Sequence, residues 1–182
     1  MDNFYSIEEL KKMKFKSIGN NVKISKKSSI YFPERISIGN NVRIDDFAIL
    51  SGNIEIGNYV HISAYTALYG KYGIKIGNCC GCSPRSIIFS ATDDFSGEYM
   101  ISPMVPEEYT NLITGQVVLE DFVQIGANTI VMPKTILHQG CATGTFTFVK
   151  ENLEEWYIYA GIPAKKIKPR SKKILELYEK II

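Results

Sequence analysis

The chain has 182 residues, 45% of them hydrophobic and 22% charged, with a formal net charge of +2. That is enough for one domain with a substantial core, and too near neutrality for bulk binding to nucleic acid or to an anionic membrane. No apolar run approaches the roughly 20 residues of a membrane span, and the opening MDNFYSIEELKK lacks the apolar centre of a secretory leader, so cytoplasmic residence is the expectation.

Near the N-terminus, Ser6 with Glu9 three places later forms a capping box, and Tyr5 with Leu10 suits a hydrophobic staple. A short helix within residues 1–16 is expected there, covering the first coil of the repeat region. Beyond it the string SIGNNV occurs at Ser17 and again at Ser37, with relatives EIGNYV at Glu55 and KIGNCC at Lys75, then more loosely VLEDFV at Val118 and ILHQGC at Ile136. Apolar residues recur at every sixth position: Ile18, Ile24, Ile30; Ile38, Ile44, Leu50; Ile56, Ile62, Leu68; Ile76, Cys82, Ile88; and, after a gap, Leu119, Ile125, Val131; Leu137, Thr143, Val149. A second set falls four places after each leading residue: Val22, Val42, Val60, Cys80, Val123 and Cys141. Strands repeat at two and helix faces at about 3.6, so a period of six fits neither. It suits a chain that turns a corner every sixth residue, with one aliphatic pointing inward from each of three flat faces. Gly and Asn after the aliphatic are expected to supply the corner through their tolerance of unusual φ/ψ.

The beat fails once, between Ile88 and Val117, in a stretch rich in charged and aromatic residues. A long break in a solenoid is usually functional, and two prolines with SGEYM suggest an ordered excursion. At the C-terminus a helix over residues 169–182 is expected, with Ile174, Leu177, Tyr178 and Ile181 on one face. Such end segments shield the open strand edges of a stack. Cys79, Cys80 and Cys82 bunch together and Cys141 lies apart, which matches neither a disulfide framework nor a zinc site; they read as small buried thiols.

The motif IGNNV, the block LEDFVQIGANTIVMPKTI and the tail YAGIPAKKIK resemble the hexapeptide-repeat acyltransferase superfamily, and within it the galactoside- and maltose-acetyltransferase-like enzymes and the sugar acetyltransferases of surface-polysaccharide synthesis. The resemblance spans residues 17–168. It implies an all-β fold: a left-handed parallel β-helix of about six triangular coils, with the excursion at residues 93–114. It further implies acetyl-CoA as donor, no metal, a homotrimer with each site between subunits, and a sugar or nucleotide-sugar acceptor acetylated on an amino or hydroxyl group, as in lipopolysaccharide O-antigen synthesis.

Galactoside-type enzymes carry a catalytic histidine early in the excursion, where this chain reads SATDDFSG and places Asp93 instead. His61 is then the leading base, since a neutral imidazole can accept a proton from an amine or hydroxyl; the bland alternative is an exposed histidine without a role. Asp93 and Asp94 would orient it or hold the acceptor, with Tyr65, Tyr69, Glu98 and Asn111 as further acceptor candidates. Arg85 pairs either with an acidic residue or with a phosphate of the acceptor. The resemblance points to Gly126, Ala127, Gly144 and Thr145 along the pantetheine arm of CoA, and to Lys165, Lys166 and Arg170 near its phosphates. His138 reads as a corner substitution.

Three rivals carry less. The γ-class carbonic anhydrases use the same fold with three zinc-binding histidines, and this chain has two histidines in all. A non-catalytic assembly scaffold needs neither an acidic loop nor the CoA-type tail. An antibiotic or serine acceptor is open to the fold as well. Loss of the loop histidine favours an amine, which asks less of a base than a hydroxyl does.

Overall fold

The structure, a computed structural model, describes residues 3–182. It is a left-handed parallel β-helix of about seven turns. The first face stacks Ser17–Ile18, Ile36–Ile38, residues 54–56 and 74–76, Val117–Leu119 and Ile136–Leu137. The second stacks Lys23–Ile24, Arg43–Ile44, His61–Ile62, Gly81–Cys82, Gln124–Ile125, Ala142–Thr143 and Tyr157–Ala160. The third stacks Ser29–Tyr31, residues 49–51 and 67–69, Ile87–Phe89, Ile130–Val131 and Phe148–Val149. The seventh turn holds Leu153 over Leu137 and Tyr159 over Thr143. It escapes the hexad pattern because a tyrosine, only 5% exposed, replaces the aliphatic.

The inward ladder is dry. Ile24, Ile44, Leu50, Ile62, Leu68, Ile88, Leu119, Ile125, Val131, Leu137 and Val149 are all completely buried. Each such side chain contributes on the order of 1.5–3 kcal/mol relative to exposure. Thr143 sits in the same ladder with its hydroxyl satisfied, accepting from Gly126 N at 3.0 Å and sharing a hydrogen bond with Thr129 Oγ1 at 3.1 Å.

The corner between the first and second faces divides its work among three residues. Glycine is there for close approach: a Cβ on Gly39 would lie 2.7 Å from the backbone carbon of Gly57 in the next turn. The following asparagine serves through its side chain. Asn40 Oδ1 accepts from Asn20 N at 2.8 Å, Asn58 Oδ1 from Asn40 N at 2.7 Å, and Asn78 Oδ1 from Asn58 N at 2.9 Å. The left-handed backbone falls one residue later, at Asn21, Asn41, Tyr59, Cys79 and Phe122. The expectation that Gly and Asn supply the unusual φ therefore holds for Asn at Asn21 and Asn41 and is corrected for Gly39, which serves close approach, and stacking holds Tyr59, Cys79 and Phe122 in that conformation.

Helix α1 (Ile7–Lys12) opens with the Ser6–Glu9 capping box and sets buried Leu10 against the first turn. Residues 1 and 2 of the expected N-terminal segment lie outside the described residues. Four free cysteines are present, and burial raises the thiol pKa of Cys82 to about 12. The C-terminal helix expected over residues 169–182 is confined to residues 173–178 and is preceded by a strand. Lys165–Pro169 forms a strand antiparallel to Tyr157–Ala160, covering the open edge of the second face. Helix α2 (Lys173–Tyr178) then lies alongside the turns, where the Tyr178 ring meets Phe122 at 5.3 Å and Tyr59 at 6.2 Å. Of its expected apolar face, Leu177 and Ile181 remain exposed.

Gly140 combines a φ of +65° with a Cβ direction 2.5 Å from the Trp156 ring. Gly140→Ala is expected to destabilise the fold by about 1–3 kcal/mol, read as a lower denaturation midpoint in urea.

Candidate active site

The excursion leaves the corner between the third and first faces as a hairpin. Ala91–Asp93 pairs antiparallel with Leu112–Thr114, and Met100 N donates to Tyr109 O at 2.9 Å further out. Between the hairpin and the turn at Lys71–Tyr72 lies a cleft of about 610 Å³, lined among others by Asp93, Glu107, Asn111 and Thr114. Phe95 and Met104, 77% and 89% exposed, project from the arm with no cover from this chain.

The two adjacent aspartates have different surroundings. Asp94 Oδ1 accepts from Ser96 N at 2.7 Å and Asp94 Oδ2 from Asn111 Nδ2 at 2.9 Å. The Ser96 backbone bond, then the Ser96 and Asn111 side chains, hold its carboxyl below the ordinary range. Its lone pairs serve the loop, and so does Asn111. Asp93 is half-buried on the cleft wall, and among the described residues its carboxylate has no hydrogen-bond or ion-pair partner. Glu98 is exposed near the loop tip.

His61 lies elsewhere, on the outer side of the second face. Its Nε2 bonds Asp45 Oδ2 at 2.7 Å, and Arg43 Nε donates to Asp45 Oδ1 at 2.6 Å. An ionised carboxylate only accepts, so Nε2 carries the hydrogen and Nδ1 is the open lone pair of the neutral ring. The partner that sequence reasoning missed is thus Asp45; no local signal marks it, because stacking alone joins positions 16 apart. Burial pushes the Asp45 carboxyl up, but hydrogen bonds from Arg43 and His61 outweigh it and hold the value below 3.8.

One turn further, Gly81 is in register with His61, and Ser83 points out of the same face, accepting from Gln124 Nε2 at 3.2 Å. That register continues with Gln124 and Ala142, and two residues along Gly126 and Gly144 follow Ser83 in later turns, keeping the surface flat. The backbone N–H groups of Ala127 and Thr145 at the adjoining corner have no acceptor among the described residues. The second face lies across the prism from the corner that carries the hairpin, so within one chain His61 and Ser83 do not meet Asp93.

Other expected residues are bound into the fold. Tyr69 stacks on Phe89 at 5.5 Å. His138 Nδ1 lies 3.2 Å from Glu120 Oε1. Lys166 pairs with Glu154 at 2.6 Å, whereas Lys165 is exposed and has no side-chain partner among the described residues. Arg170 Nη1 donates to the carbonyls of Phe122, Gly140 and Cys141 at 2.7, 3.0 and 3.2 Å, fastening the tail to the turns. Among the described residues no cluster of three or more His, Cys, Asp or Glu could hold a metal, and no helix is long and apolar enough to cross a membrane.

Residues 35–70 match the family model described as bacterial transferase hexapeptide (six repeats). Over 172 residues, 93% of this chain and 90% of the relative, the sequence is 49% identical to dTDP-4-amino-4,6-dideoxy-D-glucose acyltransferase of Escherichia coli. The chain belongs to the hexapeptide-repeat acyltransferases. A second relative in that family, the putative lipopolysaccharide biosynthesis O-acetyl transferase WbbJ of Escherichia coli K12, is 30% identical over 77% of this chain and 71% of its own length. Among solved structures, the N-acyltransferase AntD of Bacillus cereus superposes with a TM-score of 0.98. It does so with dTDP and 3-hydroxybutyryl-CoA bound, at 53% identity over 100% of this chain and 97% of AntD. It does so equally with dTDP-4-amino-4,6-dideoxyglucose and coenzyme A bound. Solved forms of AntD include replacements of a serine and of an aspartate ten positions further along.

Because the Asp45 carboxyl is held below its unfolded value, its bonds stabilise the fold fully above that value and are lost as pH falls through the lower folded one. Asp45→Asn is therefore expected to cost stability at pH 7 and progressively less below 3.8. Urea unfolding of both proteins between pH 7 and 3 measures this, and a pH-independent gap contradicts it.

Proposed function

We infer that this chain transfers an acyl group from a coenzyme A thioester to the amino group of a dTDP-linked amino sugar, dTDP-4-amino-4,6-dideoxyglucose or a close relative, for surface-glycan synthesis. The observation that carries this is the end-to-end likeness to AntD, which has been solved with that sugar nucleotide and with CoA. The enzyme works as a homotrimer, with each site formed by the second face of one subunit and the excursion of its neighbour. One feature supports trimerisation. One outward column of the third face reads Ser29, Ile49, Ala67, Ile87, Ile130 and Phe148, apolar from its second turn onward, whereas the matching column of the second face reads Lys23, Arg43, His61, Gly81 and Gln124 before turning apolar at Ala142 and Ile158. Closed threefold symmetry buries such columns.

The chemistry needs a base for the amine, a place for the thioester and donors for its carbonyl oxygen. Asp93 is proposed as the base, since its carboxylate is unengaged while Asp94 is occupied. The spacing of the AntD replacements supports this: Ser83 and Asp93 are the one Ser–Asp pair ten apart in this sequence. As the amine attacks the thioester carbon, the nitrogen gives its proton to Asp93, the C–S bond breaks, and the thiolate leaves with the Ser83 hydroxyl proton, which Ser83 regains from solvent as Asp93 releases its own. His61, one turn below Ser83 with Nδ1 open, is an acceptor contact or a second proton acceptor. Gly126 and Gly144 leave room for the pantetheine arm, the N–H groups of Ala127 and Thr145 are offered to its amides, and Lys165 to its phosphates.

Incubation with dTDP-4-amino-4,6-dideoxyglucose and acetyl-CoA or 3-hydroxybutyryl-CoA is expected to release free CoA thiol. Asp93→Asn should lower kcat by roughly 10²–10⁴, whereas His61→Ala should act less if Asp93 is the base. No thiol release from wild type with either thioester would remove this reading. Sedimentation at micromolar concentration is expected to give a species of three times 20.5 kDa; a monomer contradicts the shared site.

A further inference from the structure

The corner between the second and third faces carries a column of side chains that neither the fold nor the acyl transfer explains. Phe47, Tyr65 and Arg85 take the same corner position in three successive turns, each with a left-handed φ near +61° or +62°. Each is tied to the turn before it, Tyr65 N donating to Asp46 O and Arg85 N to Ala64 O, both at 3.1 Å. The side chains stack along the prism axis. Phe47 and Tyr65 lie parallel at 4.9 Å, Lys27 Nζ sits 5.8 Å from the centre of Phe47, and the Arg85 guanidinium carbon 5.7 Å from the centre of Tyr65.

The two ends of this column differ. Lys27 is neutralised by Asp46 at 3.1 Å. Arg85 is exposed, and among the described residues it has no carboxylate, carbonyl or other polar partner. A guanidinium lying against an aromatic face keeps its N–H edge free and holds it in one plane, the arrangement that grips a phosphate through paired hydrogen bonds. Arg85 follows Ser83 by two residues at the end of the second face.

We propose that Arg85 binds the diphosphate of the nucleotide-sugar acceptor, with Tyr65, backed by Phe47, as its positioning residue. This rests on the acyl-transfer reading. CoA carries a diphosphate too, but the groups offered to CoA belong to the later turns and the tail, whereas this column runs from Arg85 toward the N-terminal end. Donor and acceptor meet at one reacting centre, so they approach it from opposite directions along the axis.

Calorimetric titration of dTDP and, separately, of CoA tests this on wild type, Arg85→Ala, Tyr65→Leu and Tyr65→Phe. Arg85→Ala is expected to weaken dTDP by roughly tenfold or more, the scale of a lost charge-assisted hydrogen bond. CoA affinity, unchanged in that variant, also shows that it is folded. Tyr65→Leu should weaken dTDP less, and Tyr65→Phe should restore it. In turnover, KM for the sugar nucleotide should rise while kcat stays within about threefold. Wild-type dTDP affinity in Arg85→Ala overturns the proposal alone, as does a loss confined to CoA. Wild type that binds neither ligand overturns the acyl-transfer reading with it.

Discussion

Every feature of this protein depends on successive turns stacking in register, so that each inward aliphatic rests on the one below. Backbone ladders fix the spacing along the axis and the aliphatic column excludes water between the faces. The constraint is strict at the corners, where Gly39 is followed so closely by Gly57 that no side chain fits. Once the register is imposed, outward positions also fall into columns. Residues far apart in sequence are thereby brought side by side, as Arg43, His61 and Gly81 are on the second face.

The same stacking explains the mixture of residues at the corners. A side chain at left-handed φ is disfavoured in isolation, by roughly 1–2 kcal/mol for a residue with a Cβ. Here Tyr59, Cys79 and Phe122 occupy that conformation in one column and Phe47, Tyr65 and Arg85 in another. Hydrogen bonds to the turn below and ring contacts above hold them there. The corners thus display bulky and charged groups, and it is on one of them that the C-terminal helix docks, with Tyr178 between Tyr59 and Phe122.

The architecture was legible in the sequence because a six-residue beat has a single simple geometric meaning, and Cys82 and Thr143 could be placed inward from phase alone. The sequence marks Asp93 as the residue standing where a related enzyme carries histidine, but it points to His61 as the base and gives Asp93 a supporting role. What stayed hidden were pairings made only by stacking. Asp45 gives no hint of holding His61, and nothing near Arg170 indicates that its guanidinium is committed to three carbonyls of the earlier turns. The tail shows the same limit. The open edge of the second face recruits Lys165–Pro169 as an antiparallel strand, a reversal that the six-residue beat does not signal, and the helix expected over residues 169–182 begins only at Lys173.

The hairpin enters and leaves the solenoid without shifting it: Ile74 is still in register with Val117, Gly81 with Gln124, and Ile87 with Ile130 across the interruption. To the stack, then, the arm is a parenthesis. Lengthening a flexible connection costs only about 0.6 kcal/mol per doubling, so the arm can gain or lose residues while the stacked turns stay intact. Divergence in acceptor choice within such a scaffold need not pass through unstable intermediates, because the part that changes and the part that folds meet at one corner.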